Sequence, residues 1–437
     1  MDATVSQTKR RTQVMPMTIV AILFFVLGFA TWLNGSLMPY LTKMLQLTPL
    51  QASLILFSFY IAVTFTAIPS AWLIRKVGYK NGMALGIGVM MVAGLLYIPA
   101  AKTQFFAVFL IAQLVIGTGQ TLLQTAVNPY VVRLGPEETA AVRVSIMGIL
   151  NKGAGVFAPL VFTALVIGSL SAPSGAELTQ YQIDTMADRM VLPYLGLAVF
   201  LGLLALAVRF SPLPELVNEE QPDAAAADKN QLKAALAKPA LVFGVVALFV
   251  YVAVEVIAGD TIGMYALSLG VERYSVMTSY TMVCMVVGYC LGIALIPRFL
   301  SQQTALAISA VLGGALTLAV IFGDNESYAI ANTVLVPFGG VALPDTLMFI
   351  ALLGLANAIV WPAVWPLALS GLGHLTSIGS ALLIMGIAGG AFGPLAWGFF
   401  SGSSLGQQGA YIVMLPCYAF IAFYAVKGHK LKSWSKK

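Results

Sequence analysis

Three ionisable side chains, Lys152, Glu255 and Asp260, lie inside long apolar runs of the 437-residue chain. A charge inside a membrane helix is costly and is retained mainly for ion pathways or coupling. Lys152 and Glu255 are both expected near mid-depth, where an ion pair between them could break and reform during a conformational change. A static ion pair, or a lysine capped by backbone carbonyls, is the alternative. Asp260 lies about 140° around the helix from Glu255 and is the third candidate for coupling.

Amide side chains form a second candidate group. Gln113, Gln120 and Gln124 have the i, i+7, i+11 spacing of one helical stripe, and Asn128 follows four residues later. In hydrocarbon such a stripe must face a partner helix or a water-filled cavity. Three other predicted spans contribute Asn34, Asn151 and Asn357. For a single amide, a hydrogen bond between helices is the alternative interpretation.

Two tryptophans extend the polar set. Trp361 and Trp365 follow Asn357 at i+4 and i+8. Amides bond to hydroxyl groups, and an indole ring can stack on the apolar face of a pyranose, whereas a lone tryptophan more often serves packing. The combination predicts a central cavity for a polar, uncharged solute such as a sugar, lined by Gln120, Gln124, Asn128, Asn357 and Trp361.

Composition indicates which elements must position these residues. The chain is 59% hydrophobic and only 9% charged, against about 25% charged in soluble domains. Its apolar residues fall into runs of roughly 20, the length that crosses a bilayer. A soluble enzyme, a nucleic-acid-binding protein and a disulfide scaffold are therefore excluded. The runs predict an all-α polytopic membrane protein with spans at 17–40, 50–74, 81–100, 104–131, 143–169, 190–209, 239–268, 276–297, 303–322, 345–369, 376–400 and 409–427.

The distribution of basic residues predicts the orientation. Placing the N-terminus in the cytoplasm puts most of the 23 Lys and Arg residues on that side, as the positive-inside rule requires. Both termini are then cytoplasmic. Compact loops and the absence of a targeting signal favour the inner (plasma) membrane of a bacterium.

The chain is predicted to consist of two related halves. A polar stretch at 210–238, rich in Pro, Ala and charge, has the composition of a cytoplasmic linker between residues 1–209 and 239–437. Leu134-Gly135 followed by Ile146-Met147-Gly148-Ile149 recurs, at the same spacing, as Leu372-Gly373 followed by Ile384-Met385-Gly386-Ile387. Such a repeat indicates two pseudo-symmetric six-helix halves, an architecture in which transporters bind substrate near the midplane.

No cofactor is expected. Cys284, Cys290 and Cys417 lie within apolar runs, and no metal-ligand spacing occurs. The glycine-rich segments lack the preceding strand and the lysine of a nucleotide loop, so ATP-driven transport is not expected. Transport needs no covalent chemistry, so we do not expect an enzyme. The predicted partners are a small-molecule sugar and the lipid bilayer, with no nucleic acid, and we expect a functional monomer.

Several segments are similar to a known family. The stretch GTGQTLLQTAVNPYVVRLGPEETAAVR (Gly117–Arg143) resembles the fourth-span signature of the fucose permease-like sugar:cation symporters, within the major facilitator superfamily. FFVLGFATWLNGSLMPYL, QASLILFSFYIAVTFTAIPSAWLIRKVGYKNG and VWPAVWPLALSGLGHLTSIGS resemble further segments of that family. The resemblance implies the major facilitator fold, alternating access and cation-coupled sugar uptake.

Two positions depart from the family pattern. A fourth-span glutamate corresponds to Gln124 and a first-span aspartate to Gly35, neither of which can take up a proton. Glu255 instead matches a glutamate of the glucose/galactose transporter branch, some members of which are coupled to sodium. The sequence leaves three roles open for Glu255: it binds a proton, it helps to hold Na⁺ in a site nearby, or it is structural.

We therefore expect cation-coupled symport of a neutral hexose or N-acetylhexosamine. The alternatives are an uncoupled sugar facilitator and a membrane sugar sensor that transports nothing. An exporter of hydrophobic drugs fits less well, because its cavity should be mostly apolar and aromatic.

Overall fold

A computed structural model describes residues 2–134, 140–167, 179–215, 229–296 and 298–434. Within these ranges the secondary structure is helical and contains no strand. Among the described residues, twelve helices are long and apolar enough to span a membrane, which confirms the predicted fold class. Spans 1 to 12 are, in order, Met15–Leu45, Pro49–Val77, Tyr79–Thr103, Phe106–Val131, Ile146–Val166, Gln180–Phe210, Pro239–Asp260, Tyr274–Leu295, Gln302–Phe322, Asp345–Leu369, Ile378–Ser401 and Gly406–Lys430.

Span 6 begins ten residues before the predicted position of 190, at Gln180. The additional turns are polar, so a hydropathy pattern does not detect them. They are held by a capping box in which the Thr179 side chain accepts from the backbone of Gln182, and the Gln182 side chain accepts from the backbone of Thr179. This reciprocal pair satisfies two N–H groups at the helix start and lets the helix begin before its apolar part.

Several spans are interrupted rather than continuous. Span 1 has a turn at Leu33 between Asp2–Trp32 and Asn34–Leu45. Span 7 ends at Asp260, and a short helix, Ile262–Ser268, follows Thr261. Span 10 is divided into Asp345–Asn357 and Val360–Leu369. Broken helices are tolerated at membrane depth where protein or a cavity satisfies the freed backbone groups.

The described residues form two compact units. The first contains residues 2–33, 61–134, 140–167 and 179–215, and the second contains residues 34–60, 229–296 and 298–434. The predicted division into 1–209, 210–238 and 239–437 follows sequence repetition rather than contacts, and it stays a prediction. Within the predicted linker the structure describes a short helix, Lys229–Leu236, while residues 216–228 lie outside the described ranges.

Close helix packing in the first unit depends on glycine. A Cβ atom at Gly86 of span 3 would lie 2.6 Å from the backbone nitrogen of Leu123 in span 4, and one at Gly119 would lie 2.7 Å from that of Met90. Spans 3 and 4 therefore touch backbone to backbone at these two positions. Small residues permit this approach between membrane helices, where packing replaces the hydrophobic effect as the main attraction.

In the second unit, residues 34–60 pack against spans 7, 8 and 11. Oγ of Ser36 donates a hydrogen bond of 2.5 Å to the carbonyl oxygen of Ser275. The rings of Phe57 and Phe392 meet edge to face with centroids 5.8 Å apart. A Cβ at Gly398 would collide with Oγ of Ser53. The second half of span 1 and the first turns of span 2 thus form one packed body with these C-terminal spans.

The glycine contact yields a matched pair of variants. We expect Gly86→Val to lower the free energy of unfolding by about 1–3 kcal/mol, the usual cost of overpacking, because its side chain meets the backbone of span 4. Gly88→Val is the control, since a Cβ there meets nothing within 4 Å. Thermal unfolding of the detergent-purified variants measures both, and equal melting temperatures would contradict the proposed backbone contact.

Candidate functional site

Glu255 is held by a tyrosine one helical turn earlier. Its side chain is only 7% exposed, and the hydroxyl of Tyr251 donates a hydrogen bond of 2.9 Å to its Oε1. Residues four apart share a helix face, which brings the two groups together on span 7. The hydrogen bond orients the carboxylate beside an aromatic surface.

That aromatic surface continues onto span 10. The ring centroid of Trp361 lies 6.2 Å from that of Tyr251 and 5.7 Å from that of Trp365. Both tryptophans are half-buried, and Nε1 of Trp365 has no hydrogen-bond partner in the described ranges. Three aromatic rings therefore form a continuous row next to the Glu255 carboxylate. Spacings of 4.5–7 Å are those of favourable ring contacts.

Asn357 lies at the interruption of span 10. It is the last residue of Asp345–Asn357 and is fully buried. Its Oδ1 accepts a hydrogen bond of 2.9 Å from the hydroxyl of Tyr418 on span 12. Its Nδ2 atom lacks a partner among the residues that the structure describes. The tyrosine thus fixes the orientation of the buried amide, whose two N–H donors make Asn357 a candidate donor to a ligand.

Asp260 lies beside Gly35 rather than beside Tyr251. Asp260 ends the helix of span 7 and is 0% exposed. A Cβ atom at Gly35 would collide with Oγ1 of Thr278 and lie 3.0 Å from Oδ1 of Asp260. Thr278 in turn donates to the carbonyl oxygen of Gly259 at 2.7 Å. A side chain at position 35 would displace Thr278 and crowd Asp260, so the glycine makes room for both side chains. Asn34, the preceding residue, is also buried.

The predicted amide stripe of span 4 belongs to the first unit. Nε2 of Gln120 donates a hydrogen bond of 2.5 Å to Oγ1 of Thr31 in span 1, and its Oε1 has no partner within the described part of the chain. Gln113 is fully buried, Gln124 is half-buried and Asn128 is exposed. The stripe therefore runs from a buried to an exposed end, and a side-chain hydrogen bond to span 1 fixes Gln120.

Asn151 and Lys152 lie in span 5 of the same unit. Nδ2 of Asn151 donates to the carbonyl oxygen of Phe24 at 3.4 Å. The ammonium of Lys152 lies 4.5 Å from the centre of the Trp32 ring, which is within the range of a cation–π interaction. The predicted Lys152–Glu255 ion pair joins residues of different units and stays a prediction.

Tyr251 and Tyr418 are not among the site residues that the sequence predicts. Both lie in apolar runs, where a tyrosine is typical of packing. The i, i+4 spacing to Glu255 could have identified Tyr251. No local signal identifies Tyr418, because 61 residues separate it from Asn357.

The described residues contain no group of three or more His, Cys, Asp and Glu side chains that could hold a metal ion. A sodium site needs fewer carboxylates, because carbonyl, amide and hydroxyl oxygens suit hard cations. Its predicted position near Glu255 therefore stays a prediction.

Comparison with known proteins assigns the architecture. The sequence profile of the Major Facilitator Superfamily matches residues 20–394. The glucose/galactose transporter of Brucella abortus is 34% identical over 414 residues, which cover 95% of this chain and 94% of that protein. The L-fucose-proton symporter of Escherichia coli is 27% identical over 434 residues, with 95% and 93% covered. The crystal structure of FucP, a transporter in its outward conformation, matches with a TM-score of 0.68 at 26% identity and covers 94% of this chain and 98% of that one.

The Asn357 contact can be tested by its effect on stability. We expect Tyr418→Phe to lower the free energy of unfolding by about 1–3 kcal/mol, because Oδ1 of Asn357 would then be buried without its donor. Tyr328→Phe is the control, since Tyr328 is 39% exposed. Thermal unfolding in detergent compares the two, and an unchanged melting temperature for Tyr418→Phe would show that the amide finds another partner.

Proposed function

We propose that this chain, which belongs to the Major Facilitator Superfamily, is a secondary active transporter that couples uptake of a neutral hexose or N-acetylhexosamine to a cation. The observation that carries the proposal is the row of Tyr251, Trp361 and Trp365 beside the buried carboxylate of Glu255. The row provides a surface for a sugar ring, and the carboxylate beside it can bind a cation.

The sugar is proposed to stack on the row and to accept hydrogen bonds from Asn357. A pyranose has apolar C–H faces and a rim of hydroxyl groups, which match aromatic rings and amide donors respectively. The names of the glucose/galactose and L-fucose relatives support this substrate class. Gln120, Gln124, Asn128, Asn151 and Asn34 are further candidates for sugar hydroxyls.

The coupling cation is proposed to act through Glu255, with Asp260 and Lys152 as further candidates. With sodium, the carboxylate would stay ionised and supply one oxygen ligand beside amides or carbonyls. With a proton, it would be neutralised in the loaded state. We favour sodium, because Gln124 and Gly35 replace the carboxylates linked to proton coupling in the fucose permease branch. In a proton mechanism, the carboxylate of Asp260 beside Gly35 is a second group that could take up the proton.

Alternating access is proposed to involve the packed contacts of residues 34–60. In this proposal, the Ser36–Ser275 hydrogen bond and the Phe57–Phe392 ring contact break when residues 34–60 move away from the C-terminal spans. A bound ligand can shift this equilibrium only through its differential affinity for the two conformers. Sugar and cation together must therefore change how stable these contacts are.

We further propose a monomer in the inner membrane of a bacterium, with both termini in the cytoplasm, as the positive-inside distribution indicates. Binding and movement of sugar need no covalent chemistry, so the protein is proposed not to be an enzyme. An uncoupled facilitator and a non-transporting sensor are the competing functions.

Uptake of labelled sugars into proteoliposomes tests the proposal. A panel of hexoses and N-acetylhexosamines is offered while sodium and proton gradients are imposed separately. Accumulation above the external concentration under one gradient supports symport. Equilibration alone would indicate a facilitator, and the absence of counterflow for every sugar would indicate a sensor.

Gln124→Ala is expected to weaken sugar binding by about 1–3 kcal/mol, because it strands a hydrogen-bonding group of the sugar. Gln303→Ala provides the control at an exposed glutamine on span 9. Equilibrium binding of the transported sugar to purified protein measures the effect. Unchanged affinity in both variants would remove Gln124 from the sugar site.

Glu255→Gln is expected to abolish gradient-driven accumulation while sugar exchange survives. The amide keeps the shape of the side chain but can neither ionise nor supply a charged ligand to sodium. Glu272→Gln, at an exposed loop position, should accumulate sugar like the parent. If Glu255→Gln also concentrates sugar like the parent, Glu255 is structural and the cation acts elsewhere.

A further inference from the structure

A groove of about 560 Å³ lies between spans 3 and 6 of the first unit. Small residues, among them Ala84, Gly88 and Ala205, form part of its lining. A Cβ atom added at Gly88 would meet no atom within 4 Å, so the groove is open at this point. Its remaining apolar lining is Val77, Leu85, Val89, Val92 and Leu206. The lining of the groove therefore suits a long apolar ligand.

The length of the groove matches one leaflet of a bilayer. From Asn81 to Val92 span 3 rises by eleven residues, or about 16 Å at 1.5 Å per residue. The hydrocarbon core is ~30 Å thick, so half of it is about 15 Å. A single acyl chain that enters at the polar end would reach the bilayer midplane near Val92.

The polar end carries positive charge. Arg209 and Asn81 line the groove there, and Nδ2 of Asn81 donates to the carbonyl oxygen of Val77 at 2.8 Å. Arg209 is exposed and makes no hydrogen bond or ion pair to any residue that the structure describes. Its guanidinium can therefore bind an oxyanion, and guanidinium groups bind phosphate bidentately.

Neighbouring residues mark this end as the level of the lipid head groups. Arg75 and Lys76 are exposed at the end of span 2, one loop away from Asn81. Nζ of Lys76 lies 3.7 Å from the centre of the Trp72 ring, which is 52% exposed. Tryptophan and basic residues are enriched at membrane–water interfaces. Basic residues there attract anionic lipids.

We propose that this groove is a binding site for one anionic phospholipid. The phosphate binds Arg209 at the polar end, and an acyl chain lies along the floor formed by Ala84, Gly88 and Ala205. The negative head group distinguishes this ligand from a zwitterionic lipid, which offers no net charge to Arg209. The site lies wholly within the first unit, and it does not depend on which sugar or cation is transported.

The test compares phosphatidylglycerol with phosphatidylcholine of identical acyl chains. Each lipid is titrated into the full-length protein in detergent, and binding is followed by native mass spectrometry and by the melting temperature. The parent is expected to bind phosphatidylglycerol more tightly. Arg209→Gln should weaken phosphatidylglycerol binding by about fivefold, the worth of one basic residue near an anionic surface. It should weaken phosphatidylcholine binding less, because the choline cation offsets the phosphate charge that Arg209 attracts. Lys102→Gln, at the opposite end of span 3, is the charge control.

A second variant tests the apolar part of the groove. Gly88→Phe should fill it and reduce binding of both lipids, while Gly314→Phe, at another position where a Cβ meets nothing, should not. If Gly88→Phe does not give a monodisperse protein, Ala84→Leu fills the same groove nearer the polar end. Full retention of the phosphatidylglycerol preference in Arg209→Gln would overturn the proposal. So would equal binding of the two lipids by the parent, or undiminished binding in the filled variant.

Discussion

A polar group without a hydrogen-bond partner is costly in the hydrocarbon of a membrane, and this constraint organises the whole molecule. It makes every described span a helix, because only a helix satisfies its backbone internally. Interruptions are therefore informative. The turn at Leu33, the end of span 7 at Asp260 and the break after Asn357 each coincide with a candidate polar residue, namely Asn34, Asp260 and Asn357. Three of the candidate polar residues thus lie where the helical pattern is interrupted.

In the second unit, tyrosine hydroxyls donate hydrogen bonds that orient two buried polar side chains. Tyr251 orients Glu255, and Tyr418 fixes Asn357. Each hydroxyl donates a hydrogen bond to one acceptor atom of its neighbour. Each ring also supplies apolar surface, so the same residue packs the core and positions the chemistry. An isolated carboxylate or amide in the same place would have neither a fixed direction nor a satisfied acceptor.

Glycine sets the distances between helices in both units, with different consequences. At Gly86 and Gly119 its absent side chain brings two backbones into contact. At Gly35 it leaves room for a carboxylate from span 7. Gly35 stands where the resembling family has an aspartate. In the folded chain, Oδ1 of Asp260 lies 3.0 Å from the position that a Cβ of residue 35 would take. Close packing thus places the Asp260 carboxylate of span 7 next to Gly35 of span 1.

The sequence by itself determined the all-α class, the twelve spans and the residues that are costly in a membrane, because hydrophobic length and charge are local properties of the chain. It located Glu255, Asp260, Asn357 and the tryptophan pair without a structure. Tertiary structure decided what these residues contact. Tyr418 reaches Asn357 across 61 residues, and Asp260 meets Gly35 across 225 positions of sequence. Such contacts depend on helix packing and on backbone breaks, which hydropathy does not encode, and so only the folded chain reveals them.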